Sequence, residues 1–214
     1  MKNNDLIFKN LEKWWHNNKR NFPWRETKDP YKILCAEIML QKTSAEMVED
    51  VFEKFIDKYP NVESLNEAEM TEVKKLLSTL GLHKRVDYLK KTADKIISKF
   101  KGKVPKSEEN LLELTGVGSY TATAVLCFAY NNNKGVLDTN TIRILKRVFD
   151  HKSEKARARD DEKLQQTIDD IVKGNCRKYN YMLLDFGAKI CKKRNPKCRE
   201  CPIKDYCVHY SELN

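Results

Sequence analysis

The chain has 214 residues, 40% of them hydrophobic and 34% charged, with only seven glycines and six prolines, a globular and water-soluble composition that argues against a turn-rich all-β fold. No apolar run approaches the ~20 residues that span a bilayer, and the opening "MKNNDLIFKNLEKWW" is amphipathic without the apolar core of a signal peptide, so a cytoplasmic protein with no membrane partner is expected. Lysine plus arginine number 41 against 31 acidic residues, a net +10 that solubility alone would explain but that also suits a polyanionic partner such as nucleic acid.

Helical periods run along nearly the whole chain. Ile7, Leu11, Trp14 and Trp15 form a first stripe. Met47, Val48, Val51, Phe52, Phe55 and Ile56 form a second, opened by a Thr43-x-x-Glu46 capping box and closed before Pro60. A third, Met70 to Leu80, begins at an Asn66-x-x-Glu69 box and stops at Gly81. Val86, Leu89, Ile96, Ile97 and Phe100 make a fourth, and helices also fit 107–114, 119–130, 139–149, 161–173 and 177–190. The spacing shows no alternating strand and no repeat. It predicts an all-α fold of about ten helices with short loops.

Four segments carry chemistry. In "KILCAEIMLQ", Glu37 has Ile33, Leu34 and Leu40 as helical neighbours. A carboxylate on such a face loses solvation, which favours its protonated form; the plainer reading is a helix-edge glutamate reaching water. In "LTGVGSY", Gly116, Val117, Gly118 and Ser119 join two apolar helices. Glycines there permit positive φ and close backbone approach, and the amides at the start of the second helix suit a phosphate; an ordinary helix–helix turn packed on glycine is the alternative. Asp138 stands just before helix 139–149 and reads as its N-cap. Of seven cysteines, Cys35, Cys127 and Cys176 are scattered, whereas Cys191, Cys198, Cys201 and Cys207 are spaced C-x6-C-x2-C-x5-C. Disulfides are not expected in a cytosolic chain. Four thiolates so close wrap one metal centre. Zinc sites usually pair two short knuckles across a longer gap, so a [4Fe–4S] cluster fits the single C-x2-C better. The loop "KKRNPK" between the first two ligands, with Lys192, Lys193 and Arg194, is either a solvated loop or a phosphate contact.

"LTGVGSYTATAV" followed by "VLDTNTIRILKRVF", together with the cysteine spacing, resembles the helix–hairpin–helix DNA glycosylases of the endonuclease III superfamily, from about Trp14 to Cys207. The resemblance implies two helical lobes: a six-helix barrel with the hairpin over 27–133, and an iron–sulfur cluster lobe from 1–26 and 134–214, with the active site in the cleft between. It implies that Asp138 is the catalytic carboxylate, stabilising an oxocarbenium-like sugar, that Asn140 orients it or binds a phosphate, and that the cluster is mainly structural. Position 120 corresponds to the lysine that forms a Schiff base in strand-cutting members; Tyr120 implies a monofunctional enzyme whose phenol lies against the flipped nucleotide. Glu37 becomes a pocket acid. Gln41 and Lys42 fall near the gap or the opposite strand. Leu82, followed by His83, matches the side chain that wedges into the duplex, and Trp24 and Arg25 fall at the lobe junction or pocket floor, where a structural role is the safer reading. The expected partner is double-stranded DNA bearing a mismatched or damaged base, bound by a monomer that is cytoplasmic and nucleoid-associated by function.

The segments "RNFPWRETKDPYKIL", "GKVP" and "GVGSYTATAVLCFAY" look more like the mismatch-specific thymine glycosylases than the MutY-type adenine enzymes, which usually have "GYY" where this chain has "GLH". "MLQKT" departs from that pattern, since Gln41 looks more adenine-type. Removal of thymine or uracil opposite guanine is therefore expected, ahead of adenine opposite guanine or 8-oxoguanine, with oxidised pyrimidines third for want of the lysine. A non-catalytic DNA-binding module would also explain the charge, the hairpin and the cysteines, but not Asp138 and Glu37.

Overall fold

A computed structural model of the chain describes residues 2–81 and 83–213, with side chains described over 5–81 and 85–213. Its α-helices are α1 (Lys2–Asn18), α2 (Pro23–Glu26), α3 (Pro30–Met39), α4 (Ala45–Lys58), α5 (Val62–Glu67), α6 (Met70–Leu76), α7 (His83–Phe100), α8 (Glu108–Leu112), α9 (Ser119–Phe128), α10 (Thr139–Phe149), α11 (Glu162–Val172), α12 (Cys176–Lys189) and α13 (Val208–Ser211). Among the described residues there is no strand, as the periodicity predicts.

Two helix starts differ from the sequence expectation. The cap of α4 is Ser44, whose hydroxyl accepts from the Met47 amide, and not Thr43; the Thr43 hydroxyl is taken by the Arg85 guanidinium, 2.8 Å away. The Asn66-x-x-Glu69 box does not form. Glu69 caps α6 without a side-chain bond, and the capping box belongs instead to Asn61 and Ser64 at the start of α5. The cause is a tertiary contact: Lys90 Nζ donates to the carbonyls of Leu65, Asn66 and Ala68 at 3.0, 2.7 and 2.6 Å, which ends α5 and forces a second start. The third stripe then runs through α6 and a 3₁₀ turn, Ser78–Leu80, to Gly81 in the left-handed region.

The chain divides into two compact units, Asn21–Asn132 and Met1–Arg20 with Asn133–Asn214. In the first, α3 and α9 are the centre. Eight consecutive residues of α9, Thr121 to Phe128, are buried, as are all of α3 except Pro30 and Lys32; helices apolar on every side are the ones a core encloses. Helices α4 and α7 also pack on α3. Trp24 belongs to this core, stacked on Phe22 with ring centroids 4.8 Å apart and edge-on to Phe52.

In the second unit, α12 packs on α1, α10 and α11. A buried charge ties its ends together. Asp185, fully buried in α12, accepts from Trp15 Nε1 at 2.9 Å, from the Arg20 amide at 3.1 Å and from Arg20 Nε at 2.6 Å. A carboxylate this deep is tolerated only with such donors around it.

Candidate DNA-binding surface and active-site residues

The hairpin lies between α8 and α9. Its first half closes by a Val117 amide to Leu114 carbonyl bond of 3.1 Å, which seats Val117 in the core. Gly116, inside that turn, has φ +78°, and a Cβ there would stand 2.6 Å from Tyr88 Cδ2. Both conformation and space demand glycine. Gly118 differs: its φ of −98° suits any residue, and an added Cβ would meet nothing within 4 Å. It is the N-cap of α9 and supplies no side-chain cap. The first turn of a helix has no internal acceptors for its amides and carries the positive end of the dipole. Ser119 is exposed at that turn and Tyr120 is half-buried beside it.

The segment after α3 reaches the same hairpin. Glu37 is 4% exposed, within the most apolar stretch of α3. The chain leaves the helix at Leu40, and Lys42 takes a left-handed φ of +58° with its side chain exposed. This turn aims Gln41 Nε2 at the Gly116 carbonyl, 2.8 Å away. Gln41 is thus a brace of the hairpin. Leu82 lies outside the described residues, as does the side chain of His83.

In the other unit Asp138 caps α10 and is fixed on both oxygens. Oδ1 accepts from the amides of Asn140 and Thr141 at 2.8 and 2.7 Å, and Oδ2 accepts from Asn140 Nδ2 at 2.7 Å. The Thr141 hydroxyl completes a capping box by accepting from the Asp138 amide. Asn140 is oriented in turn by Arg143, whose Nη2 donates to Asn140 Oδ1 at 2.8 Å and to the Gly187 carbonyl at 2.9 Å, while Nε donates to the Cys191 carbonyl at 2.7 Å. Upstream, the extended segment leading to Asp138 is held by fully buried Asn180, which accepts from the Val136 amide and donates to the Lys134 carbonyl. Helix α12 comes so close that a Cβ on Gly187 would lie 2.6 Å from Asn140 Cβ. Asn140 therefore orients the carboxylate. Arg143, Asn180 and Gly187 are absent from the sequence expectation because an arginine, an asparagine and a glycine on helix faces carry no local sign of such a task.

Cys191, Cys198, Cys201 and Cys207 all line one cavity, with Arg147, Phe186 and Ile190 among its walls. Two 3₁₀ turns, Cys198–Glu200 and Lys204–Tyr206, fold the chain so that the spaced cysteines face inward. Burial pushes the Cys201 thiol up to about 12, with the neighbouring sulfurs adding to the rise; burial raises Cys207 as well. Four thiolates gathered in such a place need a positive centre among them. Four soft donors around a shared cavity suit a polynuclear iron–sulfur body. Arg147 pins the basic loop from behind, donating from Nη1 to the Lys192 carbonyl at 2.7 Å. The side chains of Lys192, Lys193 and Arg194 are left exposed. Lys146, Arg147, Lys192 and Lys193 line one open groove with Asn140 and Arg143, so the cationic loop and the oriented asparagine share a surface.

Residues 35–171 match the HhH-GPD superfamily base excision DNA repair protein family, and residues 191–207 match the iron–sulfur binding domain of endonuclease III. The chain is 40% identical over 212 residues to the thymine-DNA glycosylase of Aeropyrum pernix, an alignment spanning 97% of this chain and 95% of that one. It is 34% identical to the adenine DNA glycosylase of Buchnera aphidicola subsp. Schizaphis graminum over 94% of its own length and 58% of the relative's. The solved structure of a thermostable thymine-DNA glycosylase matches with a TM-score of 0.91 and 34% identity, covering 99% of this chain and 98% of the other. The iron–sulfur match spans all four of these cysteines, and the chain's cofactor is a [4Fe–4S] cluster. On the match over 35–171 and on relatives of this identity along nearly its whole length, the chain belongs to the HhH-GPD superfamily of base excision DNA repair proteins.

Proposed function

We propose that the protein is a monofunctional DNA glycosylase that removes thymine or uracil mispaired with guanine from double-stranded DNA, acting as a monomer. The observation that carries this reading is a carboxylate, Asp138, fixed on both oxygens, in a chain whose position 120 offers a phenol in place of an amine. Hydrolysis exchanges the bond from C1′ to the base nitrogen for a bond from C1′ to a water oxygen, and the departing base takes up a proton. The sugar gains positive charge on the way, and a carboxylate that need not reorganise stabilises it. Glu37, buried in α3, supplies the proton to the base and is restored by the proton that the attacking water gives up. Tyr120 lies against the flipped nucleotide and forms no imine, so the product is an intact strand with an abasic site. When bound, the cluster supplies four iron–thiolate bonds that hold the 191–207 loop in shape. Lys192, Lys193 and Arg194, free of that task, face phosphates. At the hairpin, Gly118 has no internal need to be glycine, which supports a phosphate resting on the amides of the first turn of α9. We read the two compact units as the barrel lobe and the cluster lobe.

Adenine removal is the second reading, supported by the Buchnera relative and by Gln41. The Gln41 bond to Gly116 weakens the second support, because it gives the glutamine an internal reason to be there. The test is single-turnover cleavage of a duplex panel: thymine or uracil opposite guanine, adenine opposite guanine or 8-oxoguanine, and thymine glycol opposite adenine. The expected outcome is product at the first two, seen only after hot alkali. Product at adenine instead would establish the second reading, and nicking without alkali would overturn the monofunctional one.

A further inference from the structure

Resting on the hairpin as a phosphate seat, we infer that one face of α7 is the positioning element that keeps the seat in shape, with Arg85, Tyr88, Thr92 and Lys95 as its working residues. They follow one another at intervals of three, four and three, which is a single helical stripe. Each meets a different part of the hairpin or of the turn after α3 that braces it. Arg85 Nη1 donates to the Met39 carbonyl at 3.0 Å, to the Gln41 carbonyl and to the Thr43 hydroxyl at 2.8 Å, gathering the turn in which Lys42 is left-handed. The Tyr88 ring lies against Gly116. Thr92, 3% exposed, donates its hydroxyl to the Thr115 carbonyl at 2.7 Å, and Lys95 Nζ donates to the Glu113 carbonyl at 2.7 Å.

The consequence is a division of the hairpin's polar groups. Four successive carbonyls, from Glu113 to Gly116, have internal donors: Lys95, the Val117 amide, Thr92 and Gln41. Three of those donors are side chains brought in by α7 or by the turn that Arg85 holds. Turning every carbonyl of a tight turn inward leaves the opposite edge to amides, which is what an anion requires. The turn does not do this alone, since among the bonds described for the hairpin the Thr115 and Gly116 carbonyls are taken by side chains, Thr92 and Gln41. Arg85 acts at one remove, by setting the turn from which Gln41 reaches Gly116. Burial lowers the pKa of Arg85 from its ordinary value, but its role here is to hold the turn through its guanidinium.

A neighbour on the same helix provides the control. Lys90 makes three carbonyl bonds at the end of α5 and none to the hairpin. The experiment is equilibrium binding of the cluster-loaded full chain to an undamaged duplex and to one carrying a tetrahydrofuran abasic analogue, over a range of salt, for Thr92→Val, Thr92→Ser, Arg85→Lys and Lys90→Met. Thr92→Val is expected to weaken binding to both duplexes about fivefold, and Arg85→Lys about threefold, the worth of a neutral hydrogen bond or less. Neither changes charge, so the salt slope stays at the wild-type value. The cleavage rate at saturating enzyme stays unchanged, and Thr92→Ser restores binding. Lys90→Met lowers the melting temperature and leaves affinity alone. Wild-type binding by both Thr92→Val and Arg85→Lys would overturn the inference, as would an equal loss of affinity in Lys90→Met. Absence of cleavage on every duplex with this binding pattern intact would remove the glycosylase reading and leave the positioning role standing; absence of DNA binding by the wild-type chain would overturn both.

Discussion

The hairpin and the Asp138 corner solve opposite problems with the same parts. At the hairpin the working groups are main-chain amides, and side chains hold the carbonyls out of the way: Gln41 at Gly116, Thr92 at Thr115, Lys95 at Glu113. At the corner the working group is a side-chain carboxylate, and main-chain amides of Asn140 and Thr141 hold it still. A site built of backbone and braced by several side chains should lose function in small steps as braces are removed. A site built around one carboxylate should lose it at once. The distinction also separates binding from chemistry, because a phosphate seat contributes affinity to any duplex, while a carboxylate beside a developing positive charge acts only in the transition state.

The sharpest break in the comparison is Asp138→Asn. Asparagine caps a helix as well as aspartate does, so α10 and the melting temperature should be retained. The single-turnover rate should fall by about a thousandfold, the scale of removing one preorganised electrostatic partner, with the dissociation constant for duplex unchanged. A variant that cleaves within tenfold of wild type would remove Asp138 from the chemistry and return the protein to a binding module.

Gly187→Ala comes next and probes the same corner from behind. An added Cβ would stand 2.6 Å from Asn140 Cβ and 3.2 Å from Asn140 Oδ1. Either α12 or Asn140 must give way. Overpacking of this kind costs about 1–3 kcal/mol, visible as a lowered denaturation midpoint. The cleavage rate should drop roughly tenfold, because a small displacement of a positioned group costs one to two powers of ten, while affinity for undamaged duplex holds. Loss of affinity in step with loss of rate would show that the two sites are not separable in the way their construction suggests.

These two substitutions mark where the sequence was legible. Asp138 could be read because the capping role is local: an aspartate two and three residues ahead of the amides it accepts from. The cysteine spacing and the paired glycines are local as well, and the all-helical fold follows from apolar periods that each helix displays by itself. Gly187, Asn180, Arg143 and the α7 stripe could not be read, since their meaning is set by residues 18 to 48 positions away along the chain. Gly187 in "LLDFGAK" looks like a weak point in a helix until α10 is seen against it. The misplaced box at Asn66 has the same origin: Lys90 ends α5 from a distance, and no pattern within residues 61–69 records it.

On the hairpin side the effects should be smaller and should fall on affinity. Gly116→Ala forces a Cβ into a left-handed position and against the Tyr88 ring, a strain of about 1–2 kcal/mol. Tyr88 is the flexible partner and would move, tilting the turn. Duplex affinity should fall about tenfold, with the cleavage rate at saturating enzyme close to wild type. A variant stable and tight-binding would mean that the turn's geometry is not what grips DNA.

Gly118→Ala is expected to give the smallest change and the cleanest one. Nothing within 4 Å meets its Cβ, and its φ of −98° is ordinary, so the protein itself has no use for a glycine there. At the N-cap of α9 alanine is a poorer cap than glycine, a loss that the lower entropy of its unfolded chain offsets, so the melting temperature should change little. Yet Gly118 precedes the first turn of α9, where an approaching phosphate would come close to the backbone. A methyl group at that edge should weaken binding to any duplex by about threefold to fivefold, the loss of one hydrogen bond's worth of contact, with no effect of mismatch identity. Stability retained with affinity lost would locate the requirement for glycine outside the folded chain, in the ligand. Affinity retained would mean that the phosphate stands farther from Gly118 and is held from the side of Ser119.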